Sequence, residues 1–597
     1  MRNSWRVKGA PGGLRATLRT VKSFRVEVTL LQRLTAFVFV HLRARSLAAI
    51  AVLATALLSA GAVWADKAAI ASAHPLATAA GHEILGKGGN AFDAAVAVAA
   101  ALSVVEPYAS GLGGGGFFLL HRASDRRDVM VDARETAPGR ATRNMYLDAD
   151  GKPNEAMSLH GALAAGIPGT PAGLVWLSQR YGRLPLSVSL APAIALARDG
   201  FPVDGRYASA ASWGERLLKA DVEAARIFLD DGVAPKEGFR LRQPQLASTL
   251  EALASGGHNG FYAGEIAARL LAGVRSRGGI WELDDLTAYR VLEREPTHLR
   301  YRNARITCAA LPSAGGVVLS ESLQILEGFP MGSVSRVERD HLIVEALRRG
   351  YQDRARYLGD PAFVTPPARL TTFAYAHTRA ASINVSKATP SAELDVLYPL
   401  IPEGDNTTHF SIVDAEGNRA AATLSVNLPF GAGVVAGDTG ILLNDEMNDF
   451  AIAPSTPNAY GLVGGEANAV QPRKRPLSSM APTFVEDERG VLVLGTPGGS
   501  RIISMLLLGV LDYMEHPDVD LERIVGAPRF HHQYLPDRIE YEPSGFAPEW
   551  VEGLRAMGHT LQEGKRRWGN MQAVFVDRAS GEARAAGDPR GRAGLLF

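Results

Sequence analysis

The chain has 597 residues, 46% of them hydrophobic and 21% charged, so it is long enough for one very large domain or several smaller ones. Its 63 lysines and arginines nearly balance 62 aspartates and glutamates, which argues against nucleic acid as a partner. The 62 glycines and 34 prolines are too few and too dispersed for a collagen-like or disordered protein.

The amino-terminal segment has the pattern of an export signal. Arg43 and Arg45 precede an apolar run at residues 47–63, and small residues then lead to Ala65. We interpret residues 1–65 as a leader with a secretory signal that is cut after Ala65, which predicts a periplasmic or secreted protein. A membrane anchor is the alternative, because an apolar run of this length falls at the short end of the spanning range.

A helix and a glycine-rich turn follow the leader. Residues 87–90 form a turn, and the alanine-rich residues 92–105 predict a helix. The five glycines between Gly111 and Gly116 have the spacing of a dinucleotide-binding fingerprint. Nucleotide binding requires a strand before the glycines and a helix after them, whereas the order here is reversed. We therefore interpret these glycines as a structural turn.

Helical patterns dominate the middle of the chain. Residues 161–200 and 260–289 are predicted to be largely helical, with one helix at residues 192–199. The single cysteine, Cys308, excludes an intrachain disulfide and any multi-cysteine metal site. Because it lies in an apolar stretch, we interpret it as a buried, inert thiol rather than a nucleophile.

Strand patterns begin after Asn406. Residues 407–413 and 419–427 alternate and are rich in threonine, serine and valine, which predicts two strands joined by a turn at residues 414–418. With helices before and strands after, an α/β protein of layered sheets and helices is the simplest fold class.

The predicted hairpin brings polar side chains together. If the strands pair symmetrically about Glu416, Thr407 faces Ser425, and Asn427 lies on the same side of the sheet one step beyond. Taken alone, such a cluster is also typical of a solvated strand face.

Residues 406–411 resemble the processing site of the γ-glutamyltransferases, which are N-terminal nucleophile hydrolases. The similarity extends over most of residues 66–597. Further matching motifs are Asp132, Arg134, Glu135, Ala137, Pro138; Gly166, Pro168, Gly169, Thr170; Asn444, Glu446, Met447, Asp449, Phe450; Arg475, Pro476, Leu477, Ser478, Ser479, Met480; Pro497, Gly498, Gly499, Ser500, Arg501; and Arg529, Phe530, His531, His532, Gln533. The resemblance implies the four-layer αββα sandwich of that superfamily, with two stacked, mainly antiparallel sheets.

The resemblance also implies self-cleavage between Asn406 and Thr407. The products would be a large subunit of residues 66–406 and a small catalytic subunit of residues 407–597, held together as a heterodimer. Cleavage creates an α-amine beside the hydroxyl of Thr407, with an ordinary pKa of about 7.7 to 8.0 that suits a general base. An internal threonine lacks this base, so the uncut chain should be inactive as a hydrolase.

The resemblance assigns roles to two groups of residues. For catalysis, backbone N–H groups of Gly498 and Gly499 would form an oxyanion hole, which a glycine-rich bend allows. Ser425 would orient the nucleophile, in a position where many family members have threonine. The other group would bind the amino-acid end of a γ-glutamyl substrate. The implied ligands of its carboxylate are Arg134, Ser478 and Ser479. The implied ligands of its ammonium group are Asn427, Glu446 and Asp449. A guanidinium binds carboxylates bidentately, although a lone arginine is more often a surface ion-pair partner.

Two further segments concern a lid loop and a pair of histidines. Residues 454–470 resemble the lid loop of a subset of the family, so Tyr460 would cover the bound γ-glutamyl group. The neighbouring His531 and His532 raise the possibility of a metal site, but adjacent strand residues point to opposite faces and no ligand cluster accompanies them. We interpret both histidines as structural and predict no metal and no cofactor.

The predicted function is hydrolysis of glutathione and related γ-glutamyl amides through a γ-glutamyl ester on Thr407, with transfer to amino acids, peptides or water. One alternative is a glutaryl acylase of the cephalosporin type. Glutaryl groups need no ammonium ligand, so Asp449 and Glu446 argue against it. The other alternative is a catalytically silent exported binding protein, against which Thr407, Gly498 and Gly499 argue.

Overall fold

The computed structural model describes residues 67–394, 406–453 and 464–591. Within these ranges the strands, numbered in chain order, are β1 Ala69–Ser72, β2 Gly115–Arg122, β3 Arg127–Ala133, β4 Phe201–Pro202, β5 Arg240–Leu241, β6 Leu292–Arg294, β7 Thr297–Tyr301, β8 Ala304–Cys308, β9 Thr408–Val413, β10 Arg419–Ser425, β11 Thr483–Glu486, β12 Gly490–Gly495, β13 Phe530–His531, β14 Ile539–Tyr541, β15 Leu561–Glu563, β16 Gln572–Asp577 and β17 Ala583–Gly587.

The α-helices of the same ranges, also in chain order, are α1 Pro75–Gly86, α2 Ala91–Val105, α3 Glu155–Leu159, α4 Thr170–Arg180, α5 Leu186–Asp199, α6 Gly205–Leu218, α7 Val222–Phe228, α8 Pro244–Gly256, α9 Asn259–Tyr262, α10 Gly264–Ser276, α11 Leu283–Ala288, α12 Gly315–Glu327, α13 Arg336–Tyr357, α14 Phe373–Ala381, α15 Ile502–Glu515, α16 Leu521–Gly526 and α17 Pro548–Ala556.

Two antiparallel sheets of six strands form the centre of the fold. The first has the order β1, β9, β10, β2, β3, β6, and the second has the order β17, β16, β12, β11, β8, β7. The sheets stack face to face, with β9 against β12 and β16. Helices α1, α2 and α4 cover the first sheet, and α12, α15 and α16 cover the second. This confirms the predicted four-layer αββα sandwich.

Strand β2 shows why two cores form. Phe118 and Leu120 pack in the core between the first sheet and its helices, whereas Phe117 and Leu119 pack between the two sheets. Successive side chains of a strand point to opposite faces, so a strand in an inner layer needs apolar residues at every position. That requirement explains the continuous apolar run in this part of the sequence.

Helix α2 is the central helix of its layer. The side chain of Asn90 accepts hydrogen bonds from the N–H groups of Phe92 and Asp93, and the Asp93 carboxylate accepts from the Asn90 N–H, which completes a capping box. Every residue of the helix is buried. A helix that is apolar all round belongs inside a layer, and here it packs against the sheet, α4 and α5. The helix predicted at residues 92–105 is confirmed.

The glycine-rich turn before β2 permits close backbone contact. A Cβ atom on Gly114 would lie 2.0 Å from the carbonyl oxygen of Ser425, and one on Gly113 would lie 1.9 Å from that of Leu442. Only glycine allows such an approach. The turn therefore passes directly behind the end of β10, and its structural interpretation is confirmed.

The hairpin of β9 and β10 has the predicted register. Leu424 lies opposite Thr408, and Arg419 lies opposite Val413. Strand β10 ends at Ser425, earlier than predicted, because Asn427 adopts a left-handed conformation with φ of 78°. The hairpin thus places residue 407 beside residue 425 at one end of the first sheet.

Some of the remaining sequence predictions can be compared with the structure, whereas others concern residues that it does not describe. The helix predicted at residues 192–199 begins earlier, as α5, and contains Pro192. Cys308 is fully buried, which raises the pKa of its thiol to about 11. None of the described helices combines the length and the apolar character needed to cross a bilayer. The leader at residues 1–65 and Tyr460 lie outside the described residues.

Candidate functional site

Thr407 directly precedes the inner strand β9 and is buried. Its Oγ1 donates a hydrogen bond to the carbonyl oxygen of Asn406 across the intact peptide bond. The same Oγ1 lies 3.3 Å from Oγ of Ser425. The hydroxyl is thus beside the one carbonyl group that an intramolecular cleavage would attack, with a second hydroxyl as its neighbour.

Ser425 is held by the backbone that follows it. The N–H of Asn427 donates to Ser425 Oγ at 2.8 Å, and the Asn427 side-chain amide donates to the carbonyl oxygen of Asp445 at 3.0 Å. Because Ser425 already accepts a hydrogen bond, its own proton is available for Thr407. The left-handed turn at Asn427 therefore fixes the geometry of the hydroxyl pair.

Thr408 points to the other face of β9 and anchors the strand. Its hydroxyl donates to the buried Glu106 carboxylate at 2.8 Å. Glu106 also binds the hydroxyl of Tyr108 at 3.0 Å and the guanidinium of Arg206 at 3.3 Å. This network fixes the residue next to Thr407, and the sequence analysis did not single out Glu106.

Gly498 and Gly499 form the bend that leads into α15. Their φ angles are +138° and +54°, both in the region that favours glycine. A short 3₁₀ turn, Gly499–Arg501, follows directly and continues into the helix. Backbone N–H groups at the start of a helix have no intrahelical partner and suit an anion.

A cleft opens in front of Thr407. Its lining is largely polar and comes from the end of β10, from α13 and the start of α15, and from segments outside the strands. The lining residues are Arg134, Arg354, Thr407, Ser425, Asn427, Glu446, Asp449, Ser478, Ser479, Met480, Gly499, Ser500 and Ile502.

Arg134 is the charged centre of this cleft. It follows β3 directly and is fully buried. Its Nη1 lies 2.6 Å from Oε2 of Glu446 and 3.3 Å from Oε2 of Glu135, and its Nη2 contacts the Asp449 carboxylate. Arg134, which is predicted to bind a carboxylate, therefore pairs with Glu446 and Asp449, which are predicted to bind an ammonium group.

Three carboxylates share this one guanidinium, and the pKa values of two of them, Glu446 and Glu135, are raised. Burial raises the pKa of Glu446 well above its ordinary value, against the opposing effect of Arg134. Burial likewise raises the pKa of Glu135 to about 7. Oε1 of Glu446 and Oε1 of Glu135 have no hydrogen-bond partner among the described residues. Unsatisfied buried acceptors beside the cleft are suited to a cationic donor.

Ser478 and Ser479 also line the cleft. Ser478 Oγ accepts from the N–H of Met480 at 3.1 Å, and the Ser478 N–H donates to the carbonyl oxygen of Pro312 at 2.8 Å. Ser479 Oγ accepts from Nη2 of Arg354 at 3.4 Å. Both hydroxyl groups are thus fixed in buried positions.

The structure brings nearly all the predicted site residues together. The catalytic and substrate-binding candidates that line the cleft are Thr407, Ser425, Gly499, Arg134, Asn427, Glu446, Asp449, Ser478 and Ser479. Gly498 and the cleavage-site residue Asn406 are the direct neighbours of two of them. Tyr460, the predicted lid residue, lies outside the described residues. The sequence analysis missed Arg354, because an arginine within a polar helix gives no sign of burial.

His531, the last residue of β13, and the adjacent His532 both form side-chain hydrogen bonds. His531 Nδ1 lies 2.6 Å from Ser504 Oγ and its Nε2 lies 2.7 Å from Gln533 Oε1, while His532 Nε2 lies 3.3 Å from Asp537. Burial lowers the pKa of His531 to about 3 and that of His532 to about 4. Both rings therefore serve as neutral structural groups.

A group with metal-ligand side chains does occur among the described residues, formed by His341, Glu345 and His559. The two rings hydrogen-bond to each other at 2.7 Å, and Glu345 binds the guanidinium groups of Arg348 and Arg349 at 3.2 and 2.7 Å. Two arginines on the carboxylate disfavour a cation, so this group is a hydrogen-bond network.

Comparison with known proteins identifies relatives along most of the chain. The family described as "Gamma-glutamyltranspeptidase" matches residues 77–596. "Glutathione hydrolase proenzyme" of Escherichia coli strain K12 is 42% identical over 533 residues, which covers 88% of this chain and 91% of that protein.

Solved structures agree with this similarity. Cephalosporin acylase from Bacillus halodurans superposes with a TM-score of 0.77 at 26% identity, covering 88% of this chain and 94% of that one. Helicobacter pylori gamma-glutamyltranspeptidase superposes with a TM-score of 0.52 at 36% identity, covering 54% of this chain and 93% of that one.

Proposed function

The chain belongs to the γ-glutamyltranspeptidase family, and from this premise we propose that Thr407 is the residue on which its chemistry takes place. The protein is a self-processing γ-glutamyltransferase and glutathione hydrolase. The observation that carries the assignment to Thr407 is its position in a cleft that also contains Arg134 and the carboxylates of Glu446 and Asp449. That cleft offers a nucleophile together with ligands for both charges of an amino acid.

Self-processing begins with attack of Thr407 Oγ1 on the carbonyl carbon of Asn406. The hydroxyl already contacts that carbonyl group, and Ser425 Oγ is 3.3 Å away to take part in the proton transfer. The C–N bond breaks, the nitrogen of Thr407 leaves as an amine, and an ester joins Asn406 to Oγ1. Water hydrolyses this ester, which leaves a carboxylate on Asn406 and a free amine and hydroxyl on Thr407.

Turnover uses the new amine as the base. The amine of Thr407 takes the proton of its own hydroxyl as Oγ1 attacks the γ-carbonyl carbon of the donor. The N–H groups of Gly498 and Gly499 stabilise the oxyanion that forms. The donor's C–N bond breaks, the leaving amine takes the proton, and a γ-glutamyl ester remains on Oγ1. Water or the amino group of an acceptor amino acid or peptide then releases the glutamyl group.

Ser425 is proposed to orient the nucleophile in both reactions. Replacing Ser425 with alanine removes one hydrogen bond to Oγ1, and we expect kcat to fall about 10-fold with a smaller change in KM. Ser425→Thr keeps the hydroxyl and serves as the matched control, with kcat within about 3-fold of the wild type. Steady-state kinetics on fully processed enzyme measures both variants. Equal kcat values for Ser425→Ala and the wild type would contradict the orienting role.

Donor recognition is proposed to work by exchange of ion pairs. Arg134 is bound to Glu446 and Asp449. A donor's α-carboxylate takes the guanidinium together with Ser478 and Ser479, and its ammonium group takes the released carboxylates. The guanidinium that several carboxylates share thereby gains the donor's carboxylate, and the released carboxylates gain the donor's ammonium group as a charge-assisted hydrogen-bond donor.

Export and subunit assembly are also part of the proposal. The arginines and apolar run of the leader support export with cleavage after Ala65, which places the enzyme in the periplasm or outside the cell. Residues 66–406 and 407–597 remain together as a heterodimer, since β9 and β10 of the small part pair with β1 and β2 of the large part in one sheet. Residues 454–470, with Tyr460, would form a lid.

The choice between a γ-glutamyl and a glutaryl donor is tested at Asp449. The two acyl groups differ only in the ammonium group that Asp449 would bind. We expect the wild type to hydrolyse L-γ-glutamyl-p-nitroanilide much faster than glutaryl-p-nitroanilide. Asp449→Asn should lower kcat/KM for the γ-glutamyl donor about 10- to 100-fold and change the glutaryl rate by less than about 3-fold.

Two results would overturn this assignment. A wild type that prefers the glutaryl donor would identify an acylase. A processed wild type without activity on either donor would favour the silent binding protein. An equal loss on both donors in Asp449→Asn would show that Asp449 acts on the structure of the site rather than on the ammonium group.

A further inference from the structure

Arg354 is a buried arginine that faces the cleft. It lies in the last turn of α13, and only 5% of the residue is exposed. It lines the same cleft as Thr407 and Ser479. A guanidinium group in this position carries a full positive charge into the substrate site from the large subunit.

The described part of the chain supplies no counter-ion for Arg354. Its Nη2 makes one long hydrogen bond, 3.4 Å, to Ser479 Oγ, and its buried Nε has no hydrogen-bond partner. The other buried arginines of α13 behave differently, because Arg348 and Arg349 both bind the Glu345 carboxylate. Arg354 therefore differs from the other two in having no carboxylate partner among the described residues.

A buried guanidinium without a counter-ion is electrostatically unfavourable, and burial lowers the pKa of Arg354. The carboxylate whose charge acts on it, that of Asp449, is bound to Arg134 instead. An anion placed beside Ser479 would meet an unshared guanidinium and a hydroxyl donor at the same point.

We propose that Arg354 is a positioning residue that makes the enzyme specific for donors with an α-carboxylate. By donating to Ser479 Oγ, it turns the Ser479 hydroxyl proton toward the cleft, and its charge lies behind that hydroxyl. Arg134 cannot fill this role alone, because its guanidinium is shared among three carboxylates. The inference rests on the proposed function of the cleft in binding γ-glutamyl donors.

The test compares two donors that differ only in the carboxylate. L-γ-Glutamyl-p-nitroanilide carries it, and 4-aminobutyryl-p-nitroanilide lacks it but keeps the amine. In processed Arg354→Met we expect kcat/KM for the first donor to fall about 10- to 100-fold, mainly through KM, with less than about 3-fold change for the second. Arg354→Lys should restore part of the preference. Arg336→Met, an exposed arginine of the same helix, is the matched control and should behave as the wild type.

A binding measurement provides a second test if Arg354→Met turns over too slowly to be measured or does not fold. Calorimetry on processed wild type and Arg354→Lys gives the affinity ratio of glutamate to 4-aminobutyrate, which we expect to be lower in the variant. An unchanged ratio, or an equal loss on both donors in Arg354→Met, would overturn the proposal and leave Arg354 a structural residue. A processed wild type that hydrolyses neither donor would instead overturn the proposed function itself.

Discussion

Replacement of Thr407 by alanine should leave the chain uncut and inactive. The variant lacks the hydroxyl that attacks Asn406, so no ester forms and the amine of residue 407 stays in a peptide bond. Both the nucleophile and its base are then missing, and we expect γ-glutamyl hydrolysis to fall by at least ~10⁴-fold. Denaturing electrophoresis, intact mass and amino-terminal sequencing of the chain expressed from Asp66 onward measure the cleavage directly.

Matched variants separate the two roles of Thr407. The wild type should yield a fragment that begins at Thr407. Thr407→Ser retains a hydroxyl and should still cut, more slowly, because loss of the methyl group frees the χ1 rotation. A fragment beginning at residue 407 in Thr407→Ala would show that another residue cleaves the chain. A wild type that remains whole after folding would favour a silent binding protein.

The hairpin shows how much of the site the sequence could predict. Alternation and the turn residues place Thr407 opposite Ser425, and the structure has this register, with Leu424 opposite Thr408. Strand register is a local property that one turn determines, so it can be read without knowledge of the rest of the fold. The glycine turn before β2 is similar, since the order of helix, glycines and strand is enough to exclude a nucleotide.

Polar contacts between distant parts of the chain could not be predicted in the same way. The contact of Thr408 with Glu106 joins residues far apart in the chain, and the pairing of Arg134 with Glu446 does the same. Arg354 lies in a helix of polar average character, so its burial depends on how α13 packs and not on any periodic pattern. Long-range packing decides which charges lose their water, and the sequence pattern does not carry that information.

Gly498 provides the prediction with the second-largest expected effect. Its φ of +138° is a backbone angle that glycine adopts readily and other residues rarely adopt. A Cβ atom there would lie 2.5 Å from Cε of Met505. Gly498→Ala must therefore reshape the bend and move the N–H groups proposed to face the oxyanion. Loss of one such donor costs about 10²- to 10³-fold in kcat, so we expect a fall of that size with little change in KM.

The control for this variant lies on the helix that follows the bend. Gly509→Ala adds the same methyl group inside α15, where the nearest atom is 3.4 Å away, and alanine favours a helix. We expect this variant to match the wild type in kcat. Active sites are counted by the yield of amino-terminal Thr407, so incomplete processing does not distort kcat. Because the oxyanion forms only as the donor's carbonyl is attacked, a distorted bend should weaken the transition state and leave donor binding intact. A Gly498→Ala enzyme with wild-type kcat would place the oxyanion donors elsewhere in the cleft.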